Sequence, residues 1–386
     1  MRIGIEAQRI FRKHKHGMDR VAVELINNLQ KMDTKNEYFI FVKPGHDAEV
    51  IKPTPNFKII EISGGPYPLW EQYKLARQVK AYQCDVLHCT SNTAPLFVNI
   101  PLVTTLHDII FMEGSLMNLL RSGAMPYQKF GNVYRRMIVP NIVKKSTKLI
   151  TVSNFEKENI SSFFKMKNDK LQAIHNGIGP QFTSQIDAQL LIEVRQKHKL
   201  PEHYFLHIAN KDPRKNTKMV LKGFNQFLKK NKLNTSYKLV LLGYTEGDLK
   251  ETLNVLKLEG LEQSVVLLGY INDAELPAIY ALSDLFLFPS LREGFGIPII
   301  EAMGCGVPVI TSNNSSMPEV AGEAAHLIHS NDENELTHGM LKICNDKDYK
   351  TKLITKGIER SKHFTWQCMA SKVLKIYQEL DLKLKN

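Results

Sequence analysis

The 386-residue chain is short of cysteine, of long apolar runs and of acidic residues, and each shortage excludes a class of protein. Its five cysteines (Cys84, Cys89, Cys305, Cys344 and Cys368) are odd in number and show no CxxC spacing. That excludes a disulfide framework and a cysteine-rich zinc site, and leaves free thiols. The longest apolar stretches, such as Val265-Val266-Leu267-Leu268 and Leu285-Phe286-Leu287-Phe288, are strand-sized. A spanning helix needs about 20 such residues, so the chain is expected not to cross a membrane. The opening Met1-Arg2-Ile3-Gly4-Ile5-Glu6 lacks the apolar segment and cleavage site of a signal peptide, which predicts a cytoplasmic location. Low-complexity segments, a Ser-His-Asp order, a metal-binding histidine cluster and a nucleophile elbow are also missing.

The shortage of acids leaves a formal net charge of +12, which favours polyanions or anionic membrane surfaces. A basic nucleic-acid-binding protein is therefore one alternative, but no zinc finger, RNP-like aromatic motif or helix-turn-helix signature supports it, and no nucleic-acid partner is expected. Between Glu113 and Glu156 there is no acid, whereas Arg121, Lys129, Arg135, Arg136, Lys144, Lys145 and Lys148 are all cationic. The segment reads either as a helix with a core stripe and a solvated basic face, or as a surface for anionic lipid headgroups on the inner face of the cytoplasmic membrane.

What the chain has in quantity is a βα rhythm. Short β-branched or apolar runs alternate with longer amphipathic stretches, the pattern of a parallel sheet buried on both faces. Strands are predicted near 2–7, 38–43, 57–63, 85–90, 102–108 and 148–153, with helices at 17–31, 69–82 and 125–146. A change of texture around 177–203 marks a domain boundary. Strands then recur near 204–210, 237–243, 264–271, 284–290, 308–313 and 324–329, and the tail after Asp332 is helical with a break near His363-Phe364-Thr365. The fold class is α/β: an N-terminal Rossmann-like domain, 1–180, joined by a C-terminal helix, 365–386, and a second Rossmann-like domain, 181–364. Ligands of such sheets bind beyond the carboxyl ends of the strands, which predicts an active site between the domains.

The most informative segment runs from Ser290 to Ile310 and includes Arg292-Glu293-Gly294-Phe295-Gly296-Ile297-Pro298-Ile299-Ile300-Glu301. It follows a buried strand and opens a helix near Ile297. Gly294 and Gly296 permit close backbone approach, and a helix start offers unpaired N–H groups to a polar ligand. Glu301, embedded among apolar neighbours, is costly to bury without partners, and vicinal hydroxyls suit a carboxylate. Salt bridges at both glutamates are the alternative. In Asn210-Lys211-Asp212-Pro213-Arg214-Lys215-Asn216-Thr217, directly after a strand, Arg214 and Lys215 supply either phosphate-binding charge or a solvated basic turn. His107 ends a strand in Thr105-Leu106-His107-Asp108 and is either structural or part of the site. Asp346-Lys347-Asp348 has metal-chelating spacing but lies in the helical tail, where it reads as a helix-start turn.

Glu293 and Glu301, with seven residues between them and Gly-Phe-Gly after the first, resemble the hallmark of the family-4 retaining glycosyltransferases. The resemblance extends to 281–290 and to Met317-Pro318-Glu319-Val320-Ala321-Gly322, and implies the GT-B fold of two facing Rossmann-like domains with an interdomain cleft. It implies that Glu293 binds hydroxyls of the transferred sugar, that Gly294, Phe295, Gly296 and Ile297 offer backbone groups, and that Glu301 holds the ribose. Arg214 and Lys215 would neutralise the diphosphate without a metal or other cofactor, although this chain has Asn210 where many members carry a further arginine. The backbone at Tyr270 and Ile271 would flank the base, Gly17 would approach the phosphate, and His107 would touch the donor sugar. The expected partners are a nucleotide diphosphate sugar of mannose or glucose type and a sugar or lipid-linked glycan acceptor in polysaccharide synthesis. Transfer with retention would then proceed by same-face attack, the leaving diphosphate acting as base. The alternatives within the fold are a nucleotide-sugar epimerase and a glycoside phosphorylase.

Overall fold

Short buried strands, most of them followed by a helix, build two separate parallel sheets in this chain. The computed structural model describes residues 1–13, 15, 17–114, 126–166, 169–232 and 236–385. Unit 1 consists of Met1–Gly177 and Trp366–Asn386, and unit 2 of Ile178–Thr365.

In unit 1, strands β1 (Arg2–Glu6), β2 (Glu37–Val42), β3 (Phe57–Glu61), β4 (Val86–Cys89), β5 (Leu102–Leu106), β6 (Lys148–Thr151) and β7 (Leu171–Ala173) lie in the order β3-β2-β1-β4-β5-β6-β7, every pair parallel. All residues of β4 and β5 are buried, because a parallel sheet is covered on both faces. Strand β7 has only three residues, too few for its alternation to stand out, so the sequence pattern does not reveal it.

Helix α1 (Gly17–Met32) buries Val21, Leu25, Ile26 and Leu29, a stripe at helical spacing. The C-terminal helix Trp366–Lys385 packs on α1 and buries Met369, Val373, Ile376 and Tyr377. A helical segment from Tyr67 to Ala81 is π-helical over Trp70–Leu75, which turns both Trp70 and Glu71 inward. Helices α2 (Pro126–Lys145) and α3 (Asn154–Phe163) flank β6 in the chain.

Unit 2 carries β8 (Tyr204–Ile208), β9 (Lys238–Leu242), β10 (Val265–Leu268), β11 (Leu285–Phe288), β12 (Val309–Ser312) and β13 (His326–Ile328) in the order β10-β9-β8-β11-β12-β13, again all parallel. Helix α4 (Thr217–Lys230) buries Val220, Leu221, Phe224 and Phe227 against this sheet, where Phe205, Phe227 and Tyr237 form a cluster of edge and tilted contacts. Helix α5 (Ile297–Gly304) is buried nearly all round, and α6 (Glu333–Asn345) and α7 (Lys347–Ser361) close the unit. Asp346 caps α7 by accepting from the Tyr349 N–H at 2.9 Å, so its carboxylate serves a helix start. The helical tail breaks after Ser361 and resumes at Trp366.

Both sheets reverse their strand order beside the first strand of the unit, between β1 and β4 and between β8 and β11. Loops leaving the two diverging strands part at such a point and leave a crevice at their carboxyl ends.

Candidate active site

The unit 2 crevice is bordered by the loops 209–216, after β8, and 289–296, after β11, and the two are stitched together. The Leu291 N–H donates to the Arg214 carbonyl at 2.7 Å. Asn216, in the left-handed region at φ 60°, donates its side-chain amide to the carbonyls of Pro289 at 3.0 Å and Ser330 at 2.6 Å. Beneath them His207 donates Nδ1–H to the Leu287 carbonyl at 2.8 Å, so its Nε2 accepts from the Thr217 hydroxyl at 3.1 Å. Burial pushes this imidazole down to about 4, and it stays neutral.

This scaffold fixes Lys215. Its ammonium lies 2.7 Å from Glu293 Oε1 and 5.2 Å from the centroid of the Phe288 ring. Arg214 takes a different course: its guanidinium folds onto Asp212, with Nε donating to Oδ2 at 2.9 Å. Burial raises the Asp212 carboxyl, but the hydrogen bonds from Arg214 outweigh it and hold the group below its ordinary value. Of the two cations singled out in the sequence, only Lys215 reaches Glu293; the two-residue spacing lets Asp212 hold the fork of Arg214.

The backbone around Glu293 is held from the loop after β12. Ser315 donates to the Glu293 carbonyl at 2.7 Å, and Ser316 donates to the Phe295 carbonyl at 2.8 Å. Gly296 precedes α5 at φ 103°, a conformation that L side chains rarely adopt, and no side chain caps the helix there. Phe295 contributes backbone only, because its ring is buried against Phe364. Glu301 sits in α5, 3% exposed, where it accepts from the Tyr280 hydroxyl at 3.1 Å. Strand β10 stops at Leu268, so Tyr270 and Ile271 belong to the following loop, with Tyr270 70% exposed, at the sheet edge rather than beside β8.

The unit 1 crevice holds a cavity of about 760 Å³ whose lining includes Arg9, Lys43, Tyr67, Thr93, Tyr134 and Arg135. Under it lies Glu71, fully buried, accepting from the hydroxyls of Tyr67 at 2.6 Å and Tyr134 at 2.5 Å and from the Gln72 amide at 2.9 Å. Glu6, at the end of β1, is equally buried; burial first, and then the charge of Glu71, push its carboxyl up to about 7. His107, at the end of β5, donates Nε2–H to the Thr90 carbonyl at 2.9 Å, which leaves Nδ1 as an acceptor. Burial lowers its basicity. Gly17 opens α1, and a Cβ there would meet no protein atom within 4 Å.

The basic segment does not present one face. Successive helical residues point about 100° apart, so Arg135 lines the cavity, 5.4 Å from the Phe111 ring, while Arg136 donates to the carbonyls of Glu113 at 3.0 Å and Gly114 at 3.1 Å. Lys145 bonds the Leu96 carbonyl and Lys148 pairs with Glu379 at 3.1 Å. Lys144 is exposed and Lys129 half-buried, and Arg121 lies outside the described residues. Among the described residues no helix is long and apolar enough to cross a membrane.

Sequence reasoning missed Glu6, Glu71, Tyr134, His207, Asn216 and the Ser315-Ser316 pair. Only Glu6 left a signal, as an acid closing the buried run Ile3-Gly4-Ile5. The others act through partners distant in the chain.

Two family models match this chain: "Glycosyl transferases group 1" over residues 192–360 and "Glycosyltransferase Family 4" over residues 16–182. The chain is 31% identical over 237 residues to the O-antigen chain mannosyltransferase B of Escherichia coli, a match covering 61% of each protein. It thus spans about three fifths of that relative's length. It is 26% identical over 353 residues, 89% of each chain, to an N-acetylgalactosamine-N,N'-diacetylbacillosaminyl-diphospho-undecaprenol 4-alpha-N-acetylgalactosaminyltransferase of Campylobacter jejuni. Among solved structures, HepE of Anabaena in complex with UDP and glucose matches with a TM-score of 0.74 at 17% identity, over 98% of this chain and 100% of that one.

Proposed function

This chain belongs to the family-4 glycosyltransferases, and from that premise we propose that it transfers a hexosyl group, of mannose or glucose type, from a nucleotide diphosphate sugar to a glycan hydroxyl in polysaccharide assembly. The observation that carries the reading is the Lys215–Glu293 pair, held at the switch point of unit 2 beside the uncapped start of α5. A carboxylate paired through one oxygen keeps the other for sugar hydroxyls, while the ammonium and the helix start meet the diphosphate. Glu301, already a hydrogen-bond acceptor, takes the ribose hydroxyls, Tyr270 and Ile271 flank the base, and Arg214 reaches phosphate by leaving Asp212. The mannosyl assignment is supported by the likeness to the O-antigen mannosyltransferase.

Bond breaking leaves negative charge on the diphosphate, and fixed cations aimed at that charge lower the barrier. Lys215 and α5 provide this without a metal. Among the described carboxylates around the crevice, Asp212 holds Arg214, Glu301 accepts from Tyr280 and Glu293 is assigned to sugar binding, so retention is read as same-face attack, with the departing phosphate taking the acceptor proton. His107, whose Nε2–H is taken by the Thr90 carbonyl, keeps Nδ1 as an acceptor for a sugar hydroxyl. A trapped glycosyl adduct on any side chain overturns this mechanism.

The test is a thermal-shift screen of nucleotide sugars, since a ligand that binds only the folded state raises the melting temperature with concentration. Lys215→Ala and Glu301→Ala should abolish the shift, and its retention in both rejects the site. Turnover of donor without acceptor to an isomer or a sugar phosphate would instead indicate an epimerase or a phosphorylase.

Peripheral contact with an anionic membrane is supported by Phe130, Met137 and Lys144, exposed at seven-residue intervals on α2, and by Phe97, 82% exposed next to the carbonyl that binds Lys145. Binding to liposomes that ignores anionic lipid content and salt would reject it.

A further inference from the structure

The cavity of unit 1 has two chemically distinct parts. Its exposed lining holds Arg12, Lys13, Lys43 and His46, and no described lining residue is a carboxylate. Among the described residues, Arg12, Lys13 and Lys43 have no ion-pair partner, whereas nearby Lys15 is paired with Asp47 and Arg9 with Asp19. Three like charges around one opening repel each other, and a bound anion relieves that repulsion.

The deeper lining sets two phenols beside the half-buried Arg9 and Arg135. Tyr67 and Tyr134 meet edge to face with centroids 5.8 Å apart, and both phenols donate to the buried Glu71 carboxylate. Each phenol hydrogen is thereby committed, the Tyr134 oxygen also accepts from the Gln72 amide at 2.8 Å and the Tyr67 oxygen meets the Thr93 hydroxyl at 2.6 Å, so the two phenols line the cavity as acceptors rather than donors. Acceptor oxygens among aromatic faces suit hydroxyl groups on an otherwise apolar ring, which is a sugar.

We propose that this cavity is the acceptor site and that its ligand is a phosphate-bearing glycan, whose sugar hydroxyls meet Tyr67, Thr93 and Tyr134 and whose phosphate meets Arg12, Lys13 and Lys43. The proposal rests on the glycosyl-transfer reading above and narrows its acceptor to an anionic class. Arg12 offers a fork to phosphate oxygens and the two lysines offer point charges. A glycan with a free phosphate and one linked by phosphate to a lipid share this chemistry.

The test uses the full chain and a soluble oligosaccharide carrying a phosphate or diphosphate ester, compared with the same oligosaccharide after phosphatase treatment. The KM for the phosphorylated acceptor should be lower by about tenfold or more, the preference should shrink with salt, and it should fall to about one in K13E/K43E and in the milder K13A/K43A, with folding verified by the melting curve. Calorimetric titration of the phosphorylated glycan alone should show the same loss in these variants and none in K215A, which separates this cavity from the donor crevice. A wild-type enzyme indifferent to the phosphate overturns the proposal. So does a preference that survives both double variants. Co-sedimentation with vesicles of phosphatidylglycerol and phosphatidylcholine forms a further arm: if the double variants lose vesicle binding but keep the acceptor preference, the cations serve the lipid surface and the proposal fails. Should no nucleotide sugar act as donor, the transfer reading fails by itself, and the calorimetric comparison still decides whether the cavity takes a phosphorylated glycan.

Discussion

Lys215 Nζ and Glu293 Oε1, 78 residues apart in the chain, stand 2.7 Å from each other with both side chains largely shielded from water. The pair joins the loop after β8 to the loop after β11, so the cation assigned to phosphate and the carboxylate assigned to sugar share one position. Lys215→Ala removes the cation and strands Glu293; Glu293→Gln removes the charge it faces. Each should lower kcat/KM about 100- to 1000-fold, the scale of removing one group that stabilises transition-state charge. The double variant should lose much less than the product of the two. Steady-state rates of nucleotide release check this, and full additivity would show that the pair does not act as a unit.

Gly296→Ala tests the backbone ahead of α5. At φ 103° an alanine is strained, and its Cβ would lie 3.2 Å from Ile299 Cδ1. A loss of at least about 1 kcal/mol is expected, read from urea denaturation, together with weaker donor binding because the helix start shifts. Unchanged stability would remove the argument that this glycine is conformationally required.

Glu6 gives a pH dependence of definite sign. Burial and the neighbouring Glu71 raise its carboxyl to about 7, so the folded state favours the protonated form more than the unfolded chain does. The contribution is present in full below the unfolded value of about 4.5 and is lost as pH rises to about 7, amounting to roughly 3 kcal/mol across that window. Denaturant melts at pH 5 and pH 8 should therefore differ less in Glu6→Gln than in the parent. An identical slope in both would place the titration elsewhere.

Asp346→Ala should cost about 1 kcal/mol, the worth of a helix cap, and leave catalysis unaltered. Transfer should likewise persist in excess EDTA. A rate lost to the chelator and restored by a divalent cation would overturn the metal-independent reading.

The fold class was legible because parallel strands buried on both faces must be written in runs of apolar residues, and runs such as Leu285-Phe286-Leu287-Phe288 admit few other placements. Strand β7 escaped because three residues carry no periodicity. The loop positions of Lys215 and Glu293 and the helix that carries Glu301 were legible for a related reason: strand ends and a glycine-marked helix start are local features, readable within about ten residues.

Pairing is not local. Asp212, two residues before Arg214, holds that cation locally, but that Lys215 meets Glu293 depends on Asn216 and Leu291 tying two loops that only the sheet brings together. Tyr134 and Glu71, 63 residues apart, become neighbours only because a π-helical turn points Glu71 inward beneath α2. The sequence alone thus determined most of the strands, the start of α5 and the resemblance to the family, through patterns that extend over short spans. Tertiary structure decided which charges meet, which rings are merely core, and where unit 1 has its cavity, because those depend on the order in which parallel strands lie side by side.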